Sequence, residues 1–81
     1  MKAGRDYSWW VEYSYTWEYY DEETHEWLPD WDSNAMRFVC SKKDIKKTVT
    51  KHIKENEIDD ENYRNLAVVV TDSYMTTPTE V

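Results

Sequence analysis

WWVEYSYTWEYY, residues 9–20, is the stretch of this sequence that decides the fold. Seven of its twelve residues are aromatic. The odd-numbered positions from Tyr7 to Tyr19 are all apolar or aromatic, whereas the even-numbered ones are mostly polar. An alternation with a period of two is typical of a β-strand that buries one face. We therefore predict a long strand over residues 7–20 whose ring face packs against a second layer.

A polar turn follows this strand. Asp21 and Thr24 suit a type I turn. His25 closes the turn in the left-handed region, where glycine is usual and histidine is tolerated. The chain then returns as a second strand, and we predict that Tyr19 lies opposite Trp27 in the resulting hairpin.

The second strand is predicted to have two parts. It begins near Glu26, is interrupted by Pro29 and by the polar cluster at 30–34, and resumes over residues 35–40. Proline has no N–H to donate to a ladder of hydrogen bonds, so this strand is expected at an edge of the sheet.

A helix and a third strand follow. Ser41, with Asp44 three residues later, has the spacing of a capping box and predicts a helix that runs to about Glu55. The residues with helical spacing that are expected to pack on the sheet are Ile45, Val49, His52 and Ile53. After a polar, acidic segment at 56–65, residues 66–71 carry apolar side chains on both faces and predict the third strand, which we expect to reach Met75.

These elements predict an α+β fold. It is a single small domain of the order β-β-α-β, with a three-stranded antiparallel sheet in the spatial order 2-1-3 and one helix packed on the aromatic face. Ile58 and Tyr63 are expected to anchor the connection between the helix and the third strand. We expect an ordered core over about 7–75, with flexible ends at 1–6 and 76–81.

Composition limits the classes of function. The chain has 81 residues, a net charge of −7 and a sequence pI of about 4.7. Because like charges repel, direct binding to nucleic acid or to anionic membranes is disfavoured. Its one cysteine, Cys40, cannot form an intramolecular disulfide, and no apolar run approaches the roughly 20 residues that span a bilayer. We expect a cytoplasmic protein, located in the host cytoplasm if it is encoded by a phage.

Charge is sorted along the chain. Residues 41–54 hold six lysines and one acid. The side of this helix that faces away from the sheet gives an alternative basic face at Lys43, Lys47, Lys51 and Lys54. The acids concentrate in residues 18–32 and 55–61, and neither segment contains a lysine or an arginine.

The lengths of the predicted elements leave aromatic surface uncovered. A strand of about fourteen residues extends roughly 46 Å and a helix of the same number about 21 Å, so one helix cannot cover the ring face. Some of the rings near 15–20 and 27–31 are therefore expected to lie exposed on a projecting, anionic hairpin arm. We predict that partner binding uses the acids and rings of this arm, Glu18, Tyr20, Asp21, Glu22, Glu23, Glu26, Trp27, Asp30, Trp31 and Asp32.

Other motifs have simpler structural interpretations. Residues 30–34, DWDSN, match the start of a calcium loop, but Ala35 and Ser41 stand where that loop requires glycine and glutamate. His25 and His52 are the only imidazoles, and we interpret them as a turn residue and a packing residue.

No catalytic constellation is apparent, so an enzyme is not expected. Cys40 alternates with Met36 and Phe38, which indicates a core residue rather than a nucleophile. Two distant histidines do not supply a metal site, and we expect no metal and no cofactor. The C-terminal residues 79–81, TEV, match the carboxylate motif read by PDZ-type domains, although three residues match often by chance.

The leading hypothesis is a small acidic, non-enzymatic protein-binding inhibitor. Carboxylates on a rigid arm stand in for phosphates and rings supply buried anchors, so the expected partner is a protein with a basic, nucleic-acid-binding surface. In size, acidity and lack of catalytic residues the chain resembles small phage-encoded inhibitors of host defence or transcription, including DNA mimics. Two alternatives stay open. One is a nucleic-acid-associated protein that uses the lysine-rich helix 42–54, and the other is a structural homodimer in which uncovered rings pair.

Overall fold

The central strand of the sheet is the aromatic one. The computed structural model describes residues 7–76. In this range β1, Tyr7–Asp21, pairs antiparallel with β2, Glu26–Cys40, and with β3, Tyr63–Met75, and one helical layer packs on the ring face. The spatial order β2-β1-β3 and the helical layer confirm the predicted α+β fold. The expectations for 1–6 and 77–81, including the C-terminal motif, lie outside the described residues.

The odd-numbered residues of β1 form the core, as their alternation predicts. Tyr13 and Tyr15 are almost fully buried and their ring centroids are 6.1 Å apart, while Trp17 stacks at 5.2 Å from Tyr15. The other core residues are Trp9, Val11, Phe38, Cys40, Ile45, Val49, Ile53 and Val68. Each buried tyrosine or tryptophan removes roughly 150–250 Å² from water, so the row of rings replaces the aliphatic residues that this chain lacks.

The helical segment has three parts of different pitch. A 3₁₀ turn, Lys42–Asp44, leads into α1, Ile45–His52, and a π-helical turn, Ile53–Glu57, follows. The amide of Ile58 donates to the carbonyl of Ile53 at 3.1 Å, the five-residue spacing of a π turn. The segment therefore ends two residues later than predicted. No helix in the described part of the chain is long and apolar enough to cross a membrane.

Ser41 is the N-cap residue of the helical segment, as predicted, but its side chain does not form a capping box. The Ser41 hydroxyl donates to the carboxylate of Asp44 at 2.9 Å and caps no backbone amide. The Asp44 amide donates to the Ser41 carbonyl at 3.0 Å, which forms the first 3₁₀ bond. Aspartate is one methylene shorter than the glutamate of a capping box, and its carboxylate meets the serine hydroxyl instead of the serine amide.

The residues after the helix cover the part of the ring face that α1 leaves open. Tyr15 and Trp17 are only 2% and 8% exposed, which confirms the predicted burial of the ring face at these positions. The connection to β3 runs along β1 toward the hairpin, where the Tyr20 amide donates to the Asn62 carbonyl at 3.3 Å. An extended chain rises farther per residue than a helix does. The connection therefore covers Tyr15 and Trp17, which lie beyond the end of α1.

The hairpin register differs by one residue from the predicted one. Tyr20, and not Tyr19, lies opposite Trp27, and Trp9 lies opposite Phe38. Phe38 must share the buried face with Trp9, and only a register of this parity places both rings there. Trp27 consequently lies on the face opposite to the helix.

β2 is continuous, so the predicted interruption at 29–34 is wrong. Pro29 is tolerated because β2 is an edge strand, as predicted. The polar cluster stays extended because alternate side chains accept a hydrogen bond from the next backbone amide. The amide of Trp31 donates to Asp30, that of Ser33 to Asp32 and that of Ala35 to Asn34, each at 2.8 Å.

β3 begins three residues earlier than predicted and contains two irregularities. Ile58 and Tyr63, the predicted anchors, pack against the core before and at its start. Asn65 has a φ of 58° and lies where the pairing with β1 shifts. The second shift lies near Thr71, whose hydroxyl donates to the carbonyl of Glu12 at 3.0 Å.

Candidate partner-binding surface

Two acidic segments that are distant in sequence approach each other in the half of the molecule that contains the hairpin. Residues 18–32 form the hairpin end of β1 and β2, and residues 55–61 run over the ring face toward it. The indole N–H of Trp17 donates to the carboxylate of Asp60 at 2.9 Å and joins the two segments. Twelve of the seventeen acidic residues belong to these segments, which we call the acidic end.

The tip of the hairpin is held by its own hydrogen bonds. His25 has a φ of 61° and its amide donates to the Asp21 carbonyl at 2.7 Å, which confirms its predicted role in the turn. The Asp21 carboxylate accepts the Glu23 amide at 2.9 Å. The hydroxyl of Tyr20 lies 3.1 Å from Nδ1 of His25. The carboxylates at the tip therefore project from a fixed backbone.

The uncovered rings of the hairpin lie on the open face of the sheet, which is the face opposite to the helix. Trp31 is 68% exposed. Tyr20 and Trp27 are half-buried and meet edge to face with ring centroids 5.4 Å apart. The guanidinium of Arg64 lies 4.3 Å from the centre of the Trp27 ring. One tryptophan is thus free for contact, and two rings beside it are held in place.

The structure distributes the predicted binding residues over two faces and the tip. On the open face lie Glu18, Tyr20, Trp27 and Trp31. On the helical face, opposite Trp17 and Tyr15, lie Asp30 and Asp32. At or beside the tip lie Asp21, Glu22, Glu23 and Glu26. The rings and carboxylates form a band around the arm rather than a flat patch.

Glu18 differs from the other acids because its charge is already paired. Its carboxylate accepts hydrogen bonds from the Arg64 guanidinium at 2.7 Å and from the Asn65 amide group at 3.0 Å. The hydrogen bond from Arg64 is the main cause that lowers the pKa of Glu18. Glu18 therefore contributes less free negative charge to the acidic end than its neighbours do.

Asp30 and Asp32 are used by the backbone of their own strand. Each gives one carboxylate oxygen to the amide that follows it, and the extended chain holds the two side chains two residues apart instead of folding them around a common centre. Within residues 7–76 no group of three or more histidine, cysteine or acidic side chains is arranged to hold a metal ion.

A polar cluster lies beneath the acidic end, on the core side of the sheet. The carboxylate of Glu57 accepts hydrogen bonds from the hydroxyls of Tyr13 and Tyr15, the latter at 2.8 Å. Nε2 of His52 lies 2.9 Å from this carboxylate, and the side-chain amide of Asn34 donates to it at 3.4 Å. Each tyrosine hydroxyl that the core buries thus has an acceptor, as buried polar groups require.

The cluster keeps the Tyr13 and Tyr15 hydroxyls protonated and the Glu57 carboxyl ionised near neutral pH. Burial raises the pKa of the Tyr13 and Tyr15 hydroxyls, and the hydrogen bonds and negative charge of Glu57 raise it further. Burial also raises the pKa of Glu57, but the hydrogen bonds from both tyrosines, the attraction of His52 and the Asn34 amide outweigh it, so the pKa lies below its ordinary value. Groups held this firmly in one state stabilise the fold and are poorly suited to proton transfer near neutral pH.

Sequence reasoning missed the role of Glu57, which it counted only as one of the acids in 55–61. The signal was present in the ring face itself. Tyr13 and Tyr15 are predicted to be buried, and a buried tyrosine hydroxyl needs a hydrogen-bond partner from the layer above it. His52 packs edge to face on Phe38 at 5.4 Å, as a boundary packing residue should, and its second role beside Glu57 was also missed.

The lysine-rich helix forms a separate basic surface. The helical segment follows Cys40, which pairs with Tyr7 at the end of the sheet far from the hairpin. The lysines of the alternative basic face, all of them exposed, are Lys43, Lys47, Lys51 and Lys54. Neither of the two ion pairs found within residues 7–76 involves a lysine of this helix.

Comparisons with protein-family models, with curated proteins and with solved structures find no match for this chain. The fold and the surface define a class, which is a small α+β protein with an acidic, aromatic hairpin at one end and a basic helix toward the other.

Proposed function

We propose that this protein is a non-enzymatic inhibitor that binds a basic surface of another protein through its acidic end. The partner is a nucleic-acid-binding protein of the cytoplasm, and the inhibitor occupies the surface that nucleic acid would otherwise use. In this proposal the protein acts as a DNA mimic of the phage-encoded, anti-defence or transcription-modulating type.

The observation that carries the proposal is the convergence of the two acidic segments. Apart from Glu18 and Glu57, which are paired with Arg64 and His52, the acids of the two segments repel one another and lower the stability of a small domain. The same charges suit a binding role, because a concentrated negative field steers a basic partner and raises its association rate. The backbone of the hairpin also keeps the charges at fixed spacing, which reduces the ordering that binding would require.

The aromatic residues of the arm supply the second part of such an interface. Trp31 is exposed on the open face opposite Thr16, and Tyr20 and Trp27 lie on the same face nearer the tip. Tryptophan and tyrosine are the residues that most often anchor an interface, with charged residues around them. We therefore assign association mainly to the carboxylates and retention of the complex mainly to Trp31.

The test begins with an affinity pull-down from the source cell, with and without nuclease treatment, to obtain the partner. Association is then measured for the double variant Glu22→Lys, Glu23→Lys. These side chains lie at the exposed tip, so the fold should remain intact while association slows by roughly tenfold at low salt. The matched control, Lys47→Glu with Lys51→Glu, reverses the same number of charges on the helix and should leave association unchanged.

A second pair of variants distinguishes side chains that slow dissociation of the complex from those that speed its association. Trp31→Ala should speed dissociation with little change in the association rate, since contacts made after the encounter act on the dissociation rate. Tyr74→Ala removes another ring of the open face, 52% exposed but at the opposite end of the sheet, and should change neither rate. If the arm variants bind normally and the helix variants do not bind, the lysine face is the working surface.

That lysine face supports a second candidate function, direct association with nucleic acid. The observation that favours it is the row of exposed helix lysines that no carboxylate pairs with in the described range. Binding of the wild-type protein to a generic duplex, falling steeply as salt rises and lost in Lys47→Glu with Lys51→Glu, would establish this function in place of the first.

A further inference from the structure

The two edges of the sheet differ in their ability to pair with another strand. On β2, Pro29 has no N–H, and the amides of Trp31, Ser33 and Ala35 are occupied by the side chains that precede them. Prolines and local hydrogen bonds of this kind block the pairing of an edge with another chain. The outer side of β2 is therefore closed for most of its polar half.

On β3, the other edge, no side chain in the described part of the chain occupies a backbone amide as those of β2 do. The carbonyl of Ser8 accepts from the amide of Thr76, and the amide of Tyr20 donates to Asn62, so the even-numbered residues of β1 are those that bond to β3. Antiparallel strands alternate between hydrogen-bonded and non-bonded pairs. Val68, opposite the odd-numbered Tyr15, is in a non-bonded pair.

The same alternation applies on both sides of Val68. Between the two irregularities of β3, the residues whose amide and carbonyl point away from β1 are Leu66, Val68 and Val70. Residues 66–71, LAVVVT, contain no charge and no proline and have high β-propensity. An uncharged edge segment of this composition can pair with another strand.

We propose that β3 pairs with β3 of a second copy of this chain, antiparallel about a two-fold axis at Val68. Leu66 then bonds to Val70 of the partner subunit, and Val68 bonds to the partner's Val68. This gives about six backbone hydrogen bonds, because each bonded pair exchanges two. The product is a continuous six-stranded antiparallel sheet with both helices on the same face.

Charge complementarity favours a second copy as the occupant of this edge. β3 starts at the acidic end and finishes beside Trp9, at the end where the helical segment begins. An antiparallel partner therefore brings the acidic end of one copy alongside the lysine-bearing end of the other, twice. Copies joined through their hairpin tips would instead bring acids against acids.

The proposal is tested first with the full chain. Sedimentation or light scattering should give twice the chain mass of 9.9 kDa at high concentration and low salt, and the dimer should weaken as salt rises. Hydrogen exchange at the amides of Leu66, Val68 and Val70 should slow as concentration rises, because these amides become bonded only in the dimer. A chain that stays monomeric at every concentration overturns the proposal.

Charge variants at Ala67 and Val69 test the register. Both side chains are exposed, and the two-fold axis places Ala67 of one copy directly opposite the partner's Val69. Ala67→Lys with Val69→Lys sets like charges opposite each other and should raise the dimer Kd at least about tenfold. The matched control, Ala67→Lys with Val69→Glu, sets opposite charges there and should dimerise at least as well as wild type.

Mixing two oppositely charged variants tests whether residues 67 and 69 of the two copies face each other. Ala67→Glu with Val69→Glu should be monomeric alone and should form a heterodimer when mixed with Ala67→Lys with Val69→Lys. If the lysine variant still dimerises, or if mixing gives no heterodimer, β3 is not the interface. If the variants fail to fold by circular dichroism, the exchange measurement on the wild-type chain decides.

Discussion

Glu57 determines which rings this sheet can bury. Tyr13 and Tyr15 carry hydroxyls into the core, and each would lose its bonds to water without an acceptor there. The π turn brings a single carboxylate over both hydroxyls, within reach of His52 as well. The large apolar area of the tyrosines is thereby buried without leaving a polar atom unpaired.

Replacing this carboxylate should be costly. Glu57→Gln removes the charge that both hydroxyls donate to, and we expect the free energy of unfolding to fall by about 1–3 kcal/mol. Glu55→Gln is the matched control, because Glu55 lies on the same helical segment and is exposed. Urea unfolding of both variants measures the difference. Equal stability of the two would mean that the cluster contributes nothing.

The pKa shifts in the cluster predict a stability maximum near neutral pH. Glu57 has a pKa below its ordinary value of 4.5, so the unfolded chain binds more protons and stability is lost as pH falls below about that value. Tyr13 and Tyr15 have pKa values above 10.0, so the folded chain retains protons that the unfolded chain releases, and stability is lost as pH rises above that value. Urea midpoints measured across pH should fall on both sides. A midpoint that rises below pH 4 would contradict the assignment of Glu57.

The backbone at His25 gives a prediction of opposite sign for two substitutions. Its φ of 61° costs little for glycine and much for a β-branched residue. His25→Gly should therefore raise the melting temperature slightly, by the equivalent of less than about 1 kcal/mol, and His25→Val should lower it. A lower melting temperature for the glycine variant would show that the bond to Tyr20 matters more than the backbone conformation.

At the scale of elements, β2 shows how a polar sequence is kept as an edge strand. Asp30, Asp32 and Asn34 recur at every second residue, and each accepts from the next amide. The pattern looks like a loop in sequence because these residue types are usual in turns. In the structure their hydrogen bonds close the edge without a partner strand.

This edge can be opened by mutation. Asp30→Ala with Asp32→Ala frees the amides of Trp31 and Ser33, and we expect faster hydrogen exchange at both and increased light scattering at equal concentration. Asp59→Ala with Glu61→Ala removes two exposed acids away from this edge and controls for lost charge. If both variants scatter equally, charge and not edge protection keeps the protein dispersed.

The strand order and the buried face of β1 could be predicted because alternation fixes which side chains face the core. The hairpin register could not be fixed from the turn alone, since a slip of one residue gives an equally acceptable loop. The missing information was in Phe38 and Cys40, which alternate as core residues. They reach the buried face only in a register that pairs Phe38 with Trp9 and Cys40 with Tyr7. The sequence predicted which residues form the candidate site. It could not predict which face of the sheet each of them occupies, because that depends on the register.

At the scale of the whole molecule, the fold is elongated. The extents are 53 × 24 × 18 Å, and the radius of gyration of 15.5 Å exceeds the roughly 12 Å expected for a compact chain of this length. The long sheet lets charges of opposite sign separate along one axis. It also keeps the hairpin tip away from the helix, so that the two surfaces can act independently.

Crowding of the acids predicts an unusual response to salt. At a protein concentration low enough for the monomer, raising salt from about 0.01 M to about 0.5 M should raise the urea midpoint, because screening relieves repulsion within the acidic end. Glu22→Lys with Glu23→Lys should show a smaller rise. A wild-type midpoint that falls with salt would mean that attractions between the helix lysines and the acids dominate.

β1 is the shared partner of both pairings in the sheet, and this has a consequence for how the protein is made. The hairpin of β1 and β2 leaves the ribosome before the rest of the fold. Because its contacts are local, it forms within microseconds once it is free. Its ring face stays bare until residues 41–62 have followed. At roughly 5–20 residues per second, translation of that segment takes about one to four seconds. During this interval the nascent chain presents a continuous aromatic surface, so we expect chaperones that bind nascent chains to engage it there.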